Sequence, residues 1–269
     1  RFFLRIVFNI FRHPLLMLHV INPQRIKNYI KYMRLEGMEG VKRRYEEAVS
    51  IERMRGGLSE QLDLDLEQIY SSAEGDKQQI DDFERLIFPI VYNPKVSIII
   101  PVYNEFHYTY GCLKSILKNS KGISYEIIIA DDCSTDLTRN IKQIVENINV
   151  VTSNKNLRFL LNCNNAAKYA EGEYILFLNN DTQVQYNWLE PLVNLIESND
   201  KIGMVGSKLL YPDGKLQEAG GILWKDGSAW NYGNSRNPED PEFNYVKEVD
   251  YISGAAIMIR RSLWNEIGG

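Results

Sequence analysis

The chain is poor in the residues that build redox and transition-metal sites. It has three cysteines and three histidines. Cys112, Cys133 and Cys163 are odd in number and no CxxC spacing occurs, so neither a disulfide framework nor a zinc site is supported. A reducing cytoplasm is the simple inference. His13, His19 and His107 share no metal-ligand spacing. No stretch of about eighteen residues is uninterruptedly apolar, so no membrane-spanning helix is predicted. Residues 2–21 come closest, but Arg5, Arg12, His13 and Pro14 break them. No apolar segment followed by small residues marks a signal peptide. There is no G-x-G-x-x-G turn, no internal repeat and no low-complexity tract. A net charge of −4 argues against nucleic acid as a partner.

What remains is an ordinary globular composition, 44% hydrophobic and 25% charged over 269 residues, enough for one large domain plus an appendage. Charge is unevenly placed. Residues 1–57 hold twelve Lys or Arg and five Glu, a net of +7, which leaves −11 on the rest. A basic arm on an acidic body predicts a surface that meets something anionic, such as lipid headgroups. Phe2, Phe3, Ile6, Phe8, Ile10 and Phe11 mix with Arg1, Arg5 and Arg12. This pattern reads as an amphipathic helix that either lies in a membrane interface or docks on the rest of the protein. Gly56-Gly57 punctuates the chain, and residues 58–94 read as an acidic, partly helical connector that is solvated. The chain begins with Arg1 and stops at Gly268-Gly269. Both ends are expected to be cuts in a longer protein.

From Lys95 onward, apolar runs alternate with helical patterns. Strands are predicted at 96–100, 125–130, 149–152, 174–178, 202–207 and 255–260. Helices are predicted at 108–119, 135–146, 159–170 and 188–198. Residues 208–252 read as loops and short strands. Strands that alternate with helices of ten to fifteen residues predict an α/β fold with a mainly parallel sheet.

Three segments carry the chemistry: residues 96–104 (VSIIIPVYN), 131–136 (DDCSTD) and 178–182 (LNNDT). Each is an apolar strand that ends in polar or acidic residues. Ligands in such sheets bind beyond the carboxyl ends of the strands. Tyr103 can offer a ring face to a nucleobase, and Glu105 can accept from a ribose hydroxyl. Pro-Val-Tyr-Asn can equally be a plain turn. Asp132 can accept from the ring N–H of uracil or thymine. Ser134, Thr135 and Asp136 look like helix-start residues, and Asp136 reads as structural. Asp181 is the natural ligand for a divalent cation that neutralises a diphosphate leaving group; the bland alternative is a turn residue. Trp224, Trp230, Tyr232 and Tyr245 suit either an acceptor surface or core packing, and Glu218 is placed to touch a sugar hydroxyl.

Together these segments resemble the family 2 inverting glycosyltransferases, with their GT-A nucleotide-diphospho-sugar transferase fold. The likeness runs over residues 95–269 and includes residues 98–104 (IIIPVYN), 131–136, 156–164 (NLRFLLNCN), 172–182 (GEYILFLNNDT), 211–214 (YPDG), Gly220-Gly221 and 253–256 (SGAA). The resemblance implies that Pro101, Val102, Tyr103, Glu105, Asp132, Asn156, Asn164 and Asn180 bind the nucleotide. It gives Asp181 a Mn2+ or Mg2+ ion, in a DXD-like motif written here Asn179-Asn180-Asp181. It places Gly220, Gly221, Ser253 and Gly254 along the sugar or acceptor pocket. Two departures stand out. Arg158 replaces a glycine whose backbone often needs positive φ. The general base that an inverting transfer requires is expected beyond Gly269.

The resulting expectation is a metal-dependent inverting enzyme of bacterial surface-polysaccharide (O-antigen) type. It moves a sugar from a UDP- or dTDP-linked donor to a glycan or lipid-linked acceptor, in the cytoplasm or at the inner face of the membrane. The alternative is a non-catalytic nucleotide-sugar-binding or scaffold domain. A nucleotidyltransferase would want a Gly-rich, basic loop after the first strand, which residues 101–105 lack.

Overall fold

A computed structural model describes Leu64, Leu66 and residues 79–269, all within the unit Gln61–Gly269. The expected basic region 1–57 lies outside the described residues, as does most of the connector. In chain order the strands of the first half are β1 (Leu86–Ile87), β2 (Val96–Val102), β3 (Tyr125–Asp131), β4 (Val145–Glu146), β5 (Asn149–Thr152) and β6 (Tyr174–Leu178). Then come β7 (Met204–Gly206), β8 (Leu209–Leu210), β9 (Leu216–Glu218), β10 (Gly221–Leu223), β11 (Ala229–Asn231) and β12 (Ala256–Arg260). The α-helices are α1 (Phe106–Asn119), α2 (Arg158–Ala167), α3 (Leu189–Glu197) and α4 (Arg261–Ile267).

The central sheet has the order β5-β3-β2-β6-β12-β7. β5, β3, β2 and β6 run parallel, and β12 runs antiparallel to β6 and β7. This is the mainly parallel α/β sheet that was expected. Its inner strands are apolar at nearly every position because helices cover both faces. Val96, Ile98, Ile100 and Val102 face one cluster, with Leu113 and Ile116 of α1 and Leu192 and Ile196 of α3. Ile99 faces the other, with Cys163, Ala166 and Ala167 of α2 and Trp264 of α4.

The chain leaves β2 toward β3 and β5, then returns to the opposite side of β2 as β6. Such a reversal leaves a crevice at the carboxyl ends of the strands. Here a proline helps to open it. β2 pairs with β6 from Val96 to Ile99, while its pairing with β3 continues to Val102. Pro101 has no N–H to donate. The Asn179 N–H, one residue past β6, turns to Ala255 O on the other side, at 2.9 Å.

Two stretches differ from the sequence reading. The predicted helix at 135–146 is a 3-10 helix, Leu137–Gln143, followed by β4. Val145 leaves the helix because it pairs with Leu86 of β1 in a small parallel ladder. The second difference concerns the end of the connector, which is part of the body. Ile80, Leu86 and Phe88 are buried in the core, and the Phe88 ring meets Tyr125 edge-on at 6.3 Å. The helical character expected of this connector is confined, among the described residues, to a 3-10 turn at Ile80–Asp82.

This burial has a measurable consequence. Phe88→Ala should destabilise the protein by about 3–5 kcal/mol in urea unfolding, as for a core aromatic. A change below about 0.5 kcal/mol would return this stretch to the status of a solvated linker.

Candidate functional site

The carboxyl ends of β2, β3 and β5 lie level, with Val102 opposite Asp131 and Asp131 opposite Thr152. The loops that leave them are joined by side-chain to backbone hydrogen bonds. Asp131 accepts the Ser134 N–H at 2.9 Å, and Ser134 Oγ accepts the Asn104 N–H at 2.8 Å. Asn104 Oδ1 in turn accepts the Thr135 N–H at 2.7 Å. Asp136 serves two elements at once. Its Oδ1 caps the 3-10 helix through the Thr138 N–H at 3.0 Å, and its Oδ2 accepts from Phe106, the first residue of α1, at 2.9 Å. The structural role expected for Asp136 is thus observed, and the cap is Asp136 itself, not Ser134 or Thr135.

Asp132 is 3% exposed. Its two oxygens accept the backbone N–H groups of Leu157 at 2.6 Å and Arg158 at 2.8 Å. A carboxylate offers about four lone-pair positions, so two remain for a ligand. Arg158 also donates its N–H to Asn156 Oδ1 at 3.0 Å and adopts φ +61°. The glycine-like backbone anticipated at this position is therefore retained with an arginine in place. Asn104, Glu105 and Cys133 are likewise left-handed, at φ 58°, 58° and 59°. Four strained non-glycine residues on three neighbouring loops mark a site whose shape is held by its surroundings.

The turn after β6 closes the other wall. Thr182 donates to Asn179 O through both its N–H and its hydroxyl, at 3.2 and 2.6 Å. Asn180 Nδ2 donates to Thr109 Oγ1 at 3.1 Å, and the Thr109 N–H donates to Glu105 O at 3.2 Å. This chain of bonds links the Asn179-Asn180-Asp181 turn to the loop after β2. Asp181 is exposed, and its carboxylate accepts no hydrogen bond from the described residues. Asn179 Oδ1 and Asn164 Oδ1 are buried without partners among the described residues. Cys112 lies beneath the turn, 3.8 Å from Asn179 O; burial pushes its thiol up to about 12, so it stays protonated and inert.

Of the residues singled out from sequence, Pro101 and Val102 are buried, whereas Tyr103, Glu105 and Asn156 are exposed on the loops. Asn164 lies on α2. Ser253 and Gly254 enter from the start of β12; a Cβ at Gly254 would lie 4.0 Å from the Phe159 ring. Gly220 and Gly221 have a packing reason to be small. A Cβ at Gly220 would come within 2.4 Å of Val249, and one at Gly221 within 2.1 Å of the Tyr251 ring. Trp224 and Trp230 are half exposed and meet edge-on at 5.5 Å on the β10–β11 hairpin, so they are not core residues. Sequence reading missed Asn104, Thr109 and Asn162. Asn162 is buried on α2 and donates to Ala130 O at 2.6 Å. A polar residue on the apolar face of α2 is the signal that could have found it.

Because Asp136 caps two elements, Asp136→Ala should cost about 2 kcal/mol in unfolding experiments, the upper end for a cap. A loss near zero would show that the loops hold without it.

The model of glycosyl transferase family 2 matches residues 97–268. The chain is 29% identical over 195 residues to the O-antigen biosynthesis protein RfbC of Myxococcus xanthus, across 69% of this chain and 15% of that protein. It is 35% identical over 128 residues to the putative teichuronic acid biosynthesis glycosyltransferase TuaG of Bacillus subtilis, across 46% of this chain and 50% of that protein. The matches thus span half or less of these relatives' own length. A mannosyltransferase, PcManGT from Pyrobaculum calidifontis in complex with GDP-Man and Mn2+, aligns with a TM-score of 0.49 at 18% identity, over 73% of this chain and 52% of that one. The family match covers well over half of the sequence, and the chain belongs to glycosyl transferase family 2.

Proposed function

We propose that this domain binds the donor of a metal-dependent inverting glycosyltransferase, which moves a sugar from a UDP- or dTDP-linked donor to a glycan or lipid-linked acceptor in cell-surface polysaccharide biosynthesis. The observation that carries this reading is that the loops after β2, β3 and β5 and the turn holding Asp181 are tied together by hydrogen bonds at one edge of the sheet. Two curated relatives are named for O-antigen and teichuronic acid biosynthesis, which supports a polysaccharide as acceptor.

The residues present fit the proposed roles. Tyr103 stands exposed where a base can stack, and Glu105 is exposed beside it. Asp132 keeps two acceptor positions for a ring N–H. Asn156, Asn164 and Asn180 lie on the loop, helix and turn that border the crevice. The unbonded carboxylate of Asp181 and the orphaned amide oxygen of Asn179 are hard oxygen donors of the kind that Mn2+ or Mg2+ takes. A cation bound there supplies charge neutralisation for the diphosphate that leaves. Gly220, Gly221, Ser253 and Gly254 would border the transferred sugar or the acceptor.

Calorimetric titration with UDP and dTDP, with and without Mn2+, tests the donor site. We expect binding to strengthen with the metal, and Asp181→Ala to remove that gain with a loss of about tenfold or more. Metal-independent binding that is unaltered in the variant would sink the role of Asp181.

No helix among the described residues is long and apolar enough to cross a membrane. We place the domain at the cytoplasmic membrane face through its basic arm. Replacing Lys42, Arg43 and Arg44 by Gln should weaken co-sedimentation with phosphatidylserine vesicles by about 1 kcal/mol per charge. Equal binding by the variant would leave the arm a structural element.

A further inference from the structure

Asp131, Asp132 and Glu218 are buried carboxyls that pair with no Lys or Arg among the described residues, and Glu218 is the one that lies away from the ends of β2, β3 and β5. Glu218, at the end of β9, is 2% exposed. The one hydrogen bond it receives from the described residues is from the Ser253 N–H to Oε1, at 3.1 Å. No Lys or Arg among the described residues pairs with it, and burial raises its pKa against the smaller opposing effect of that bond. A buried carboxyl with so few partners is costly unless a ligand completes the set.

The surroundings show which ligand. Ser253 opens a short turn, in which its Oγ accepts the Ala255 N–H at 3.3 Å. At the far end of that turn, Ala255 O accepts the Asn179 N–H at 2.9 Å. Glu218 and the Asn179-Asn180-Asp181 turn therefore abut two ends of one three-residue segment, which spans at most about 10 Å. The other neighbour is Tyr251. Its ring covers Gly221, its hydroxyl donates to Asn231 Oδ1 at 3.0 Å, and burial, with the nearby charge of Glu218, raises its pKa. A carboxyl oxygen for hydroxyl groups beside an aromatic ring for C–H faces is the lining that a sugar requires.

We propose that Glu218 is a sugar-binding residue, which accepts hydrogen bonds from hydroxyl groups of the hexosyl unit of the donor while the Asp181 turn holds its diphosphate. This rests on the donor site proposed above and adds the group that selects the sugar. Tyr251 forms the adjoining wall.

Glu218→Gln tests it, because the amide oxygen keeps the bond to Ser253 while the charge is lost. Affinities of wild type and variant would be measured by calorimetry with Mn2+ for UDP, dTDP, UDP-glucose, UDP-galactose, UDP-N-acetylglucosamine and dTDP-glucose. We expect the diphosphates to bind the variant within about twofold of wild type, which also reports an intact fold. The affinity for the sugar nucleotide that wild type prefers, taken relative to its diphosphate, should fall about tenfold or more. An unchanged ratio overturns the role of Glu218 and leaves the donor site standing. Loss of diphosphate and sugar nucleotide in equal measure makes Glu218 structural and also overturns it. Failure of wild type to bind either diphosphate overturns the donor site, and this inference with it.

Discussion

Asp132 accepts two backbone N–H groups, and its neighbour Asp131 accepts a third. Both carboxyls are buried; Asp131 ends β3 and Asp132 follows it. Hydrogen bonds to charged groups are worth about 1.5–3 kcal/mol each, so these bonds hold the loops firmly to the end of β3. The bonds from Leu157 and Arg158 also seat a negative charge at the amino end of α2, where the helix dipole favours it. The position of α2, the course of the loop after β5 and the shape of the crevice therefore follow from one pair of acids. Their removal would free the N–H groups of Ser134 and Leu157 and leave the left-handed Arg158 with Asn156 alone.

Strain at Asn104, Glu105, Cys133 and Arg158 makes sense on this footing. A left-handed L-residue costs about 1–2 kcal/mol. Each of these loops is crossed by at least one hydrogen bond from a neighbouring loop, and Asp136 ties the start of α1 to the loop after β3. The loops are thus set before any ligand arrives, and little ordering remains for binding to accomplish.

Much of this was legible because burial on two faces leaves a plain trace. The runs 96–102, 125–131 and 174–178 are apolar at nearly every position, and the abrupt change at Asn179 marks the edge of the sheet. Asp181 stood out for the same reason. What escaped reading depends on partners far along the chain. α1 starts two residues earlier than its pattern suggests, because its cap is Asp136, thirty positions away in sequence. Val145 is drawn out of a helix by Leu86, and Glu218 is buried by a segment that includes Ser253. Gly220 and Gly221 were noticed for their smallness, but Val249 and Tyr251 decide what fills the space beside them.

The proline near the end of β2 has a mechanical consequence. Ladder pairing between β2 and β6 stops at Ile99 and Phe177, and Asn179 belongs to the β12 side. Beyond that point, the Asn180–Thr109 bond is the side-chain tie that leads from the β6 turn back toward the loop after β2. The edge beyond Ile99 and Phe177 carries no rung between β2 and β6, so a ligand seated there displaces no bond of the ladder.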